Sequence, residues 1–493
     1  MTRTLLLCLF AGAVVPLAFA PFYWWWIAPL SYAVLFVAWQ DATPRQAFVR
    51  GLAFGCTQFL FGVYWIYISV HGFGGAPIFV AVFLMLGLVF AMALYPALVG
   101  WVAARWFATG GRWHWLATLP ALWVVAEWLR GWVLSGFGWL APGYSQTESW
   151  LVGLAPVLGV LGVSWAVFII AGALASALRG SRHDRVVAGI VVLGLFGAGF
   201  LAGRIAWTVQ KPDEISVALA QGAVSQDLKW LPQMLQPQLD LYRELTVESL
   251  GSDLIIWPEA AIPEYYENFA LWFDGIERLA ADAGSQVMLG TLKFHSAGAQ
   301  NAVYTLGQPE STYIKRHLVP YGEFFPMPDF MRPWIASMNL AFPDSQPGEP
   351  GQPPVELLGE RIAVTICYED VFGSEQLHSF PEASLLVNVS NDGWFGDSIA
   401  PHQHLQIARM RSAEVRRWQL RTTNTGITAV IDPYGAVSAA LPQFESGVLR
   451  ANVAGVTGST PYILWGNVAV LLLAAVVIGA YWARTKLTMR PGT

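Results

Sequence analysis

The chain has 493 residues, of which 55% are hydrophobic and only 12% charged, about half the charged share of an ordinary soluble protein. Much of it is therefore built for lipid, and its 24 tryptophans suit a membrane interface. The net charge of −5 leaves no basic footprint for nucleic acid, and Cys8, Cys56 and Cys367, with no C-x-x-C or Cys/His spacing, support neither a disulfide framework nor a metal site.

Apolar runs near 4–20, 23–40, 51–70, 77–104, 115–134, 150–178 and 186–208 fill the first 210 residues. Each approaches the roughly 20 helical residues needed to cross a bilayer. Cys8 and Cys56 lie inside these runs and read as small hydrophobes. The character changes at Pro212. From there to Pro461 come polar turns, short alternating segments and most of the acids, and a last apolar run covers roughly 462–483. The expected plan is a seven-span region (1–211), a globular domain (212–461) and a final span with its tail (462–493), giving about eight spans in an α-helical bundle.

The Lys/Arg bias orients this plan. Arg45 and Arg50, Arg105 and Arg112, and Arg179, Arg182 and Arg185 fall in alternate loops, and Arg484, Lys486 and Arg490 in the tail. The opposite loop "HGFGGAP" (71–77) has no Lys or Arg. Both termini are expected in the cytoplasm and the 212–461 domain outside it. Ala18-Phe19-Ala20 resembles a signal-peptidase site, whose cleavage would invert the count. Pro21 follows directly and a second apolar run begins at Tyr23, so the first run is kept as a span. Glu127 and Arg130, near the outer end of the fifth run, read as a structural pair rather than a headgroup site.

In the outer domain the patterning predicts strands at 214–221, 253–260, 286–294, 302–307, 361–367, 383–390 and 427–433, with helices over 268–283 and 401–418. Strands alternating with helices argue for a layered α/β domain. Three polar residues stand at or near the ends of apolar strands: Glu259 in "LIIWPEAAIP", Lys315 in "TYIKRHLVP" and Cys367 in "AVTICYE". Each alone has an ordinary reading: a solvated acid, a surface lysine, a core cysteine.

Together, in this chain order, they resemble the Glu-Lys-Cys triad of the nitrilase, or carbon–nitrogen hydrolase, superfamily. Its α-β-β-α sandwich is the fold expected over roughly 214–455. "LKW" (228–230), "WPEAAIP" (257–263), "HLVPYGEFFP" (317–326), "ICYED" (366–370) and "SNDGWFG" (390–396), together with the flanking spans, are similar to the membrane-embedded apolipoprotein N-acyltransferase family. The resemblance implies a bacterial inner-membrane acyltransferase with its catalytic domain on the periplasmic side. It implies a phospholipid acyl donor, a diacylglyceryl apolipoprotein acceptor, and no cofactor.

Chemistry gives each member of the triad work. A free thiol is only a few per cent ionised at neutral pH, so Glu259 is expected to take the Cys367 proton. Lys315 is expected to favour the thiolate and then the oxyanion, with the Tyr368 N–H as second donor. The resemblance implies that Glu323 holds Lys315 or assists proton transfer, and that Tyr368 and Glu369 belong to the site. The alternative for Glu369 is an ordinary salt-bridged acid. Trp230 matches a tryptophan that the family uses near its substrate; its alternative is core packing.

The stretch "FFPMPDFMRPWIASMNLAF" (324–342) is too apolar for an ordinary soluble loop. Trp334, Met338 and Phe342 are expected to contact lipid from an arm dipping into the outer leaflet, or else to belong to a buried helix. Trp394, with Phe395, is expected to form a second lip. His402 and His404, spaced i, i+2, do not share a helix face and read as the start of a helix rather than a metal site. Two rival functions remain: a membrane-tethered amidase or nitrilase, for which one anchor would suffice, and a transporter, whose spans tend to carry ionisable residues that are scarce here.

Overall fold

The structure, a computed structural model, describes residues 2–107, 111–307, 309–324 and 345–488. The lipid-contact expectation for Trp334, Met338 and Phe342 falls outside these residues. The chain divides into two compact units: Met1–Tyr67 with Phe79–Ile205 and Leu464–Thr493, and Ile68–Ile78 with Ala206–Ile463.

The first unit is helical. Among the described residues, Ile78–Trp106, Trp150–Arg179 and Arg182–Gly203 are long and apolar enough to cross a membrane. The bent pair Pro44–Gly62 and Trp65–Phe73 makes a fourth if it is one span. Thr2–Ala18, Ile27–Trp39 and Val468–Ala483 are shorter apolar helices. Ile27–Trp39 has 13 residues, which rise about 20 Å against a hydrocarbon core of about 30 Å. Thr43 caps Pro44–Gly62 and Ser181 caps Arg182–Gly203, each through a capping box that satisfies first-turn N–H groups. Packing is tight enough that a Cβ on Gly51 would sit 2.5 Å from the Pro96 carbonyl oxygen. Tyr32, Trp123 and Phe168 form an aromatic centre with ring separations of 5.0–5.1 Å. Glu127 and Arg130 are paired at 2.6 Å, and Arg130 also donates to the Trp139 carbonyl.

The second unit is a two-sheet sandwich. One sheet holds β1 (Thr208–Gln221), β2 (Leu254–Ile256), β3 (Ile262–Tyr265), β4 (Gln286–His295), β5 (Gly298–Leu306), β6 (Thr312–Ile314) and β13 (Gly447–Gly458), in the order β13-β1-β2-β4-β5-β6 with β3 beside β4. The other holds β7 (Val355–Leu357), β8 (Glu360–Ile366), β9 (Leu385–Ser390), β10 (Gln419–Thr423), β11 (Ala429–Ile431) and β12 (Val437–Ala440), in reverse numerical order.

The period of two explains the layers. Val217 and Leu219 of β1 and Ile362, Val364 and Ile366 of β8 point between the sheets into one core. Ala218 and Ala220 point the other way, against Leu239, Tyr242 and Leu245 of helix Leu235–Ser249 and Phe273 and Ile276 of helix Ala270–Asp282. On the far side, Leu405 and Ala408 of helix Ala400–Val415 cover Ala429 and Ile431. Each fully buried Val, Leu or Ile contributes roughly 1.5–3 kcal/mol. The result is the expected α-β-β-α order.

β1, β2 and β4 run parallel in one sheet, and β8, β9 and β10 in the other. Antiparallel pairing through β5 returns β6 to the direction of β4. The carboxyl ends of β2, β6, β8 and β9 are therefore the places where the chain leaves its sheets next to the candidate residues, the usual location for a site in parallel sheets.

Candidate active site

Glu259 lies three residues past β2, Lys315 directly past β6, and Cys367 directly past β8. Cys367 is not the last residue of its strand, as the sequence suggests. It opens a 3-10 turn, Cys367–Val371, with φ 54°. This left-handed conformation is costly for a residue with a Cβ and turns the chain sharply at the sulfur.

Lys315 ties the site together. Its Nζ lies 3.1 Å from Glu259 Oε1 and 2.7 Å from Glu323 Oε1, and only 1% of the residue is exposed. Burial alone would push this ammonium down, but the two carboxylates outweigh it and hold Lys315 well above the usual lysine range. Glu323 is fixed in turn by the Val319 N–H, which donates to Oε2 at 2.8 Å. Glu259 takes further hydrogen bonds from Asn301 Nδ2 (2.6 Å, to Oε1) and from the Asn391 N–H (2.7 Å, to Oε2). The buried Lys229 Nζ donates to the Glu259 carbonyl at 3.2 Å; burial pushes its amine down to about 8, against the pull of the Glu259 charge.

The thiol of Cys367 feels the same groups. Burial pushes it up, the Glu259 carboxylate adds to that, and Lys315 and a hydrogen bond from Ser390 only partly oppose them. Lys315 favours the thiolate, but burial and the Glu259 charge outweigh it. At neutral pH the sulfur keeps its proton until something removes it. Iodoacetamide labelling of Cys367, read by peptide mass, is expected to accelerate about tenfold per pH unit between about pH 6 and 9. A rate that levels off near neutrality would reveal a resting thiolate and contradict this.

Glu369 is buried, and among the described residues it forms no salt bridge. Its carboxylate accepts from the N–H groups of Ile366 (2.7 Å), Arg316 (2.8 Å) and His317 (3.1 Å) and from the Tyr313 hydroxyl (3.1 Å). It thus ties the turn at Cys367 to the segment that carries Lys315. Burial pushes its carboxyl up, against those N–H donors. Tyr368, buried beside it, stands edge-on to Phe372 with ring centroids 5.1 Å apart. Trp230 is 45% exposed, which removes the core-packing alternative, and Trp394 is 37% exposed. Ser69 donates to the Trp394 carbonyl at 2.8 Å.

Sequence reasoning missed a second, fully buried cluster behind the cysteine. Arg421 donates to Asn388 Oδ1 (2.6 Å) and Asp392 Oδ2 (2.8 Å) and lies 3.6 Å from Asp370. His404 Nδ1 lies 2.8 Å from Asp392 Oδ1, and its Nε2 lies 3.1 Å from the Cys367 carbonyl oxygen. Burial would raise the Asp392 carboxyl, but His404 and Arg421 hold it well below the usual carboxylate range. A signal did exist: Arg421 sits mid-strand among buried residues in "QLRTT". His404 instead opens a helix as read, and His402 Nε2 meets Gln443 Nε2 at 3.1 Å. Among the described residues no group of three or more His, Cys, Asp or Glu could hold a metal ion.

Residues 11–173 match the family described as apolipoprotein N-acyltransferase N-terminal domain, and residues 216–462 match carbon-nitrogen hydrolase. The chain is 41% identical to the apolipoprotein N-acyltransferase of Methylococcus capsulatus, over 98% of this chain and 97% of that one. It is 40% identical to that of Azotobacter vinelandii, over 97% and 94%. Among solved structures, a CN-hydrolase superfamily protein of Xanthomonas campestris aligns with 57% of this chain and 98% of its own, at a TM-score of 0.37 and 18% identity.

Proposed function

The chain belongs to the apolipoprotein N-acyltransferase family, and from that membership we propose that it carries a fatty acyl group on Cys367 from a membrane phospholipid to the α-amino group of a lipoprotein's lipid-modified N-terminal cysteine. The observation that supports this most is the buried Lys315, bonded to Glu259 and electrostatically coupled to the Cys367 sulfur where β2, β6 and β8 end.

In the first half-reaction the Cys367 sulfur attacks the ester carbonyl of the phospholipid while Glu259 takes the thiol proton. The developing oxyanion is met by the Lys315 ammonium and the Tyr368 N–H. The ester C–O bond breaks, the leaving glycerol oxygen receives the proton from Glu259, and a lysophospholipid departs. In the second half the acceptor amine attacks the thioester, the C–S bond breaks, and Glu259 moves the amine proton to the sulfur. Glu323 keeps Lys315 in place and charged. Glu369 holds the turn at Cys367, and Trp230 and Trp394 border the acyl entrance. One thioester serving two substrates gives ping-pong kinetics.

The placement proposed with this chemistry is the bacterial inner membrane. About eight spans lie in 1–211 and 462–493, both termini are cytoplasmic, and the 212–461 domain is periplasmic. The support is the Lys/Arg bias of the loops and the apolar helices. Trp334, Met338 and Phe342 serve this reading as lipid contacts. An amidase is not favoured, because relatives with the acyltransferase name align over nearly the whole chain.

The test is the mass of the peptide that contains Cys367, from protein purified with phospholipid. It is expected to carry one acyl group, and to lose it when a diacylglyceryl lipopeptide with a free amine is added. An unmodified thiol after long exposure to phospholipid would refute the scheme.

A further inference from the structure

We propose that the segment Ile68–Phe73 is a working part of the acyl-transfer site, in which Ser69 and Ile68 hold the Trp394 turn and so set how tightly the phospholipid donor is bound. The inference deepens the thioester reading above and rests on it. It makes Ser69 a positioning residue that acts through Trp394.

The segment comes from a distant part of the chain. It spans the end of one apolar run and the loop "HGFGGAP" before the next, yet Ile68–Ile78 belongs to the same compact unit as Ala206–Ile463. It holds a shape of its own. Ile68–Phe73 is a π-helical turn, a rare form found frequently at functional sites. The Gly74 N–H donates to the Ser69 carbonyl at 2.9 Å, and the Ala76 N–H to the Val70 carbonyl at 3.1 Å. His71 Nδ1 lies 2.8 Å from the Ala76 carbonyl oxygen, and Gly75, with φ 67°, turns the chain between them.

What it meets is the 3-10 turn Asp392–Phe395. The Ser69 hydroxyl donates to the Trp394 carbonyl at 2.8 Å. At Gly396, just past the turn, φ is 57°, and a Cβ would sit 3.2 Å from Ile68 Cγ2 and 3.6 Å from the Phe73 ring. Glycine is therefore what lets Ile68 and Phe73 close on the backbone there. One polar and one apolar contact seat the turn against the segment.

The turn has a root and a tip, held by different groups. At the root the Asn391 N–H donates to Glu259 Oε2 at 2.7 Å, and the Asn391 side chain donates to Gln226 Oε1 at 2.9 Å. Asp392 accepts from Arg421 at 2.8 Å and from Ser390 at 3.0 Å. All of these residues are buried. At the tip Phe395 lies edge-on to His404, with ring centroids 6.5 Å apart, while Trp394 stays 37% exposed. Ser69 and Ile68 act on this tip. Losing them should leave the Asn391–Glu259 bond, and with it the chemistry, in place and release Trp394 alone. An indole fixed before the lipid arrives lowers the ordering cost of binding. That gain is shared by ground and transition states, so it belongs in KM and not in kcat.

The test is single-turnover acylation of Cys367 in S69A by a dipalmitoyl phospholipid in mixed micelles. The half-saturating mole fraction is expected to rise roughly threefold to tenfold, the scale of one hydrogen bond, with the maximal rate unchanged. In a W394A background S69A should change nothing further, because the side chain it positions is gone. A folded S69A with unchanged half-saturation overturns the proposal. So does one whose maximal rate falls instead, or one whose effect persists undiminished in W394A. I68A thins the apolar contact and is read the same way; it decides the matter if S69A does not fold. Wild-type protein that never acylates Cys367 would instead sink the thioester reading. The brace is then judged by amide hydrogen exchange of the peptide holding Asp392–Gly396: faster exchange in S69A supports it, and unchanged exchange overturns it.

Discussion

Replacing Cys367 with alanine is expected to abolish acyl transfer while leaving the fold intact. Every step of the proposed cycle forms or breaks a bond to that sulfur, so no partial route survives. The transfer rate should fall by at least about 10⁴-fold, the scale on which removal of a catalytic nucleophile is felt. The structural cost is small. Alanine pays no more than cysteine for the left-handed backbone, and the lost sulfur leaves a gap for which about 1 kcal/mol is a fair measure. Serine at the same position should be almost as inactive, because a hydroxyl beside Glu259 is far harder to ionise than a thiol. The readouts are lipopeptide acylation and the mass of the 367 peptide. An alanine variant that acylates its acceptor at normal speed would remove the acyl-enzyme from the mechanism.

Lys315→Met should have the second largest effect, on stability as well as rate. In the wild type one ammonium lies between two carboxylates, at 3.1 Å from Glu259 and 2.7 Å from Glu323, with 1% and 8% of the Lys315 and Glu259 side chains exposed. Deleting the cation leaves a buried Glu259 and a half-buried Glu323 without it, and breaking a buried pair from one side costs roughly 3–5 kcal/mol. The sign with pH can be worked out. The folded-state value of Lys315 is raised above its unfolded one, so its stabilisation is complete below about pH 10 and fades only in strong alkali. In the variant the two acids relieve their repulsion by taking protons, so stability should recover as pH falls. The gap in melting temperature between variant and wild type is therefore expected to be wider at about pH 8 than at about pH 5. An equal melting temperature at both would mean that Lys315 is not what holds the two carboxylates together. Acylation should be lost at either pH, because the oxyanion would have lost its cation.

Parts of this architecture were legible because local chemistry announces them. "QVMLGTLKF" alternates and is β4, and "RIAVT" is a buried β8 whose odd and even residues serve two different layers. Other elements carry little local signal. β13 contains Gly447, Gly455 and Gly458, yet it pairs with β1 along most of its length, so its strand character comes from its partner. Helix Leu235–Ser249 was missed because Pro237 and the polar "QPQLD" disguise its first turn; Leu239, Tyr242 and Leu245 still land on one buried face. The seven apolar runs of the N-terminal region were visible as composition, but helix length is set where the backbone breaks. Among the described residues three helices, or four with the bent pair, reach the length of a span by that measure.

The sequence by itself determined that a carboxylate, a lysine and a cysteine follow in that order, each at or near the end of an apolar strand, and the resemblance to the nitrilase superfamily is what proposes them as a triad. It also determined the lipid-suited composition and the clustering of Lys and Arg between apolar runs. Only the tertiary structure decided that burial outweighs Lys315 at the thiol, that Glu369 is a brace for the turn, and that Asp392, His404 and Arg421 gather behind Cys367. The physical reason is that these outcomes depend on desolvation and on which acceptor a donor meets at about 3 Å. Those quantities are fixed by residues tens to hundreds of positions apart, and no local pattern carries them.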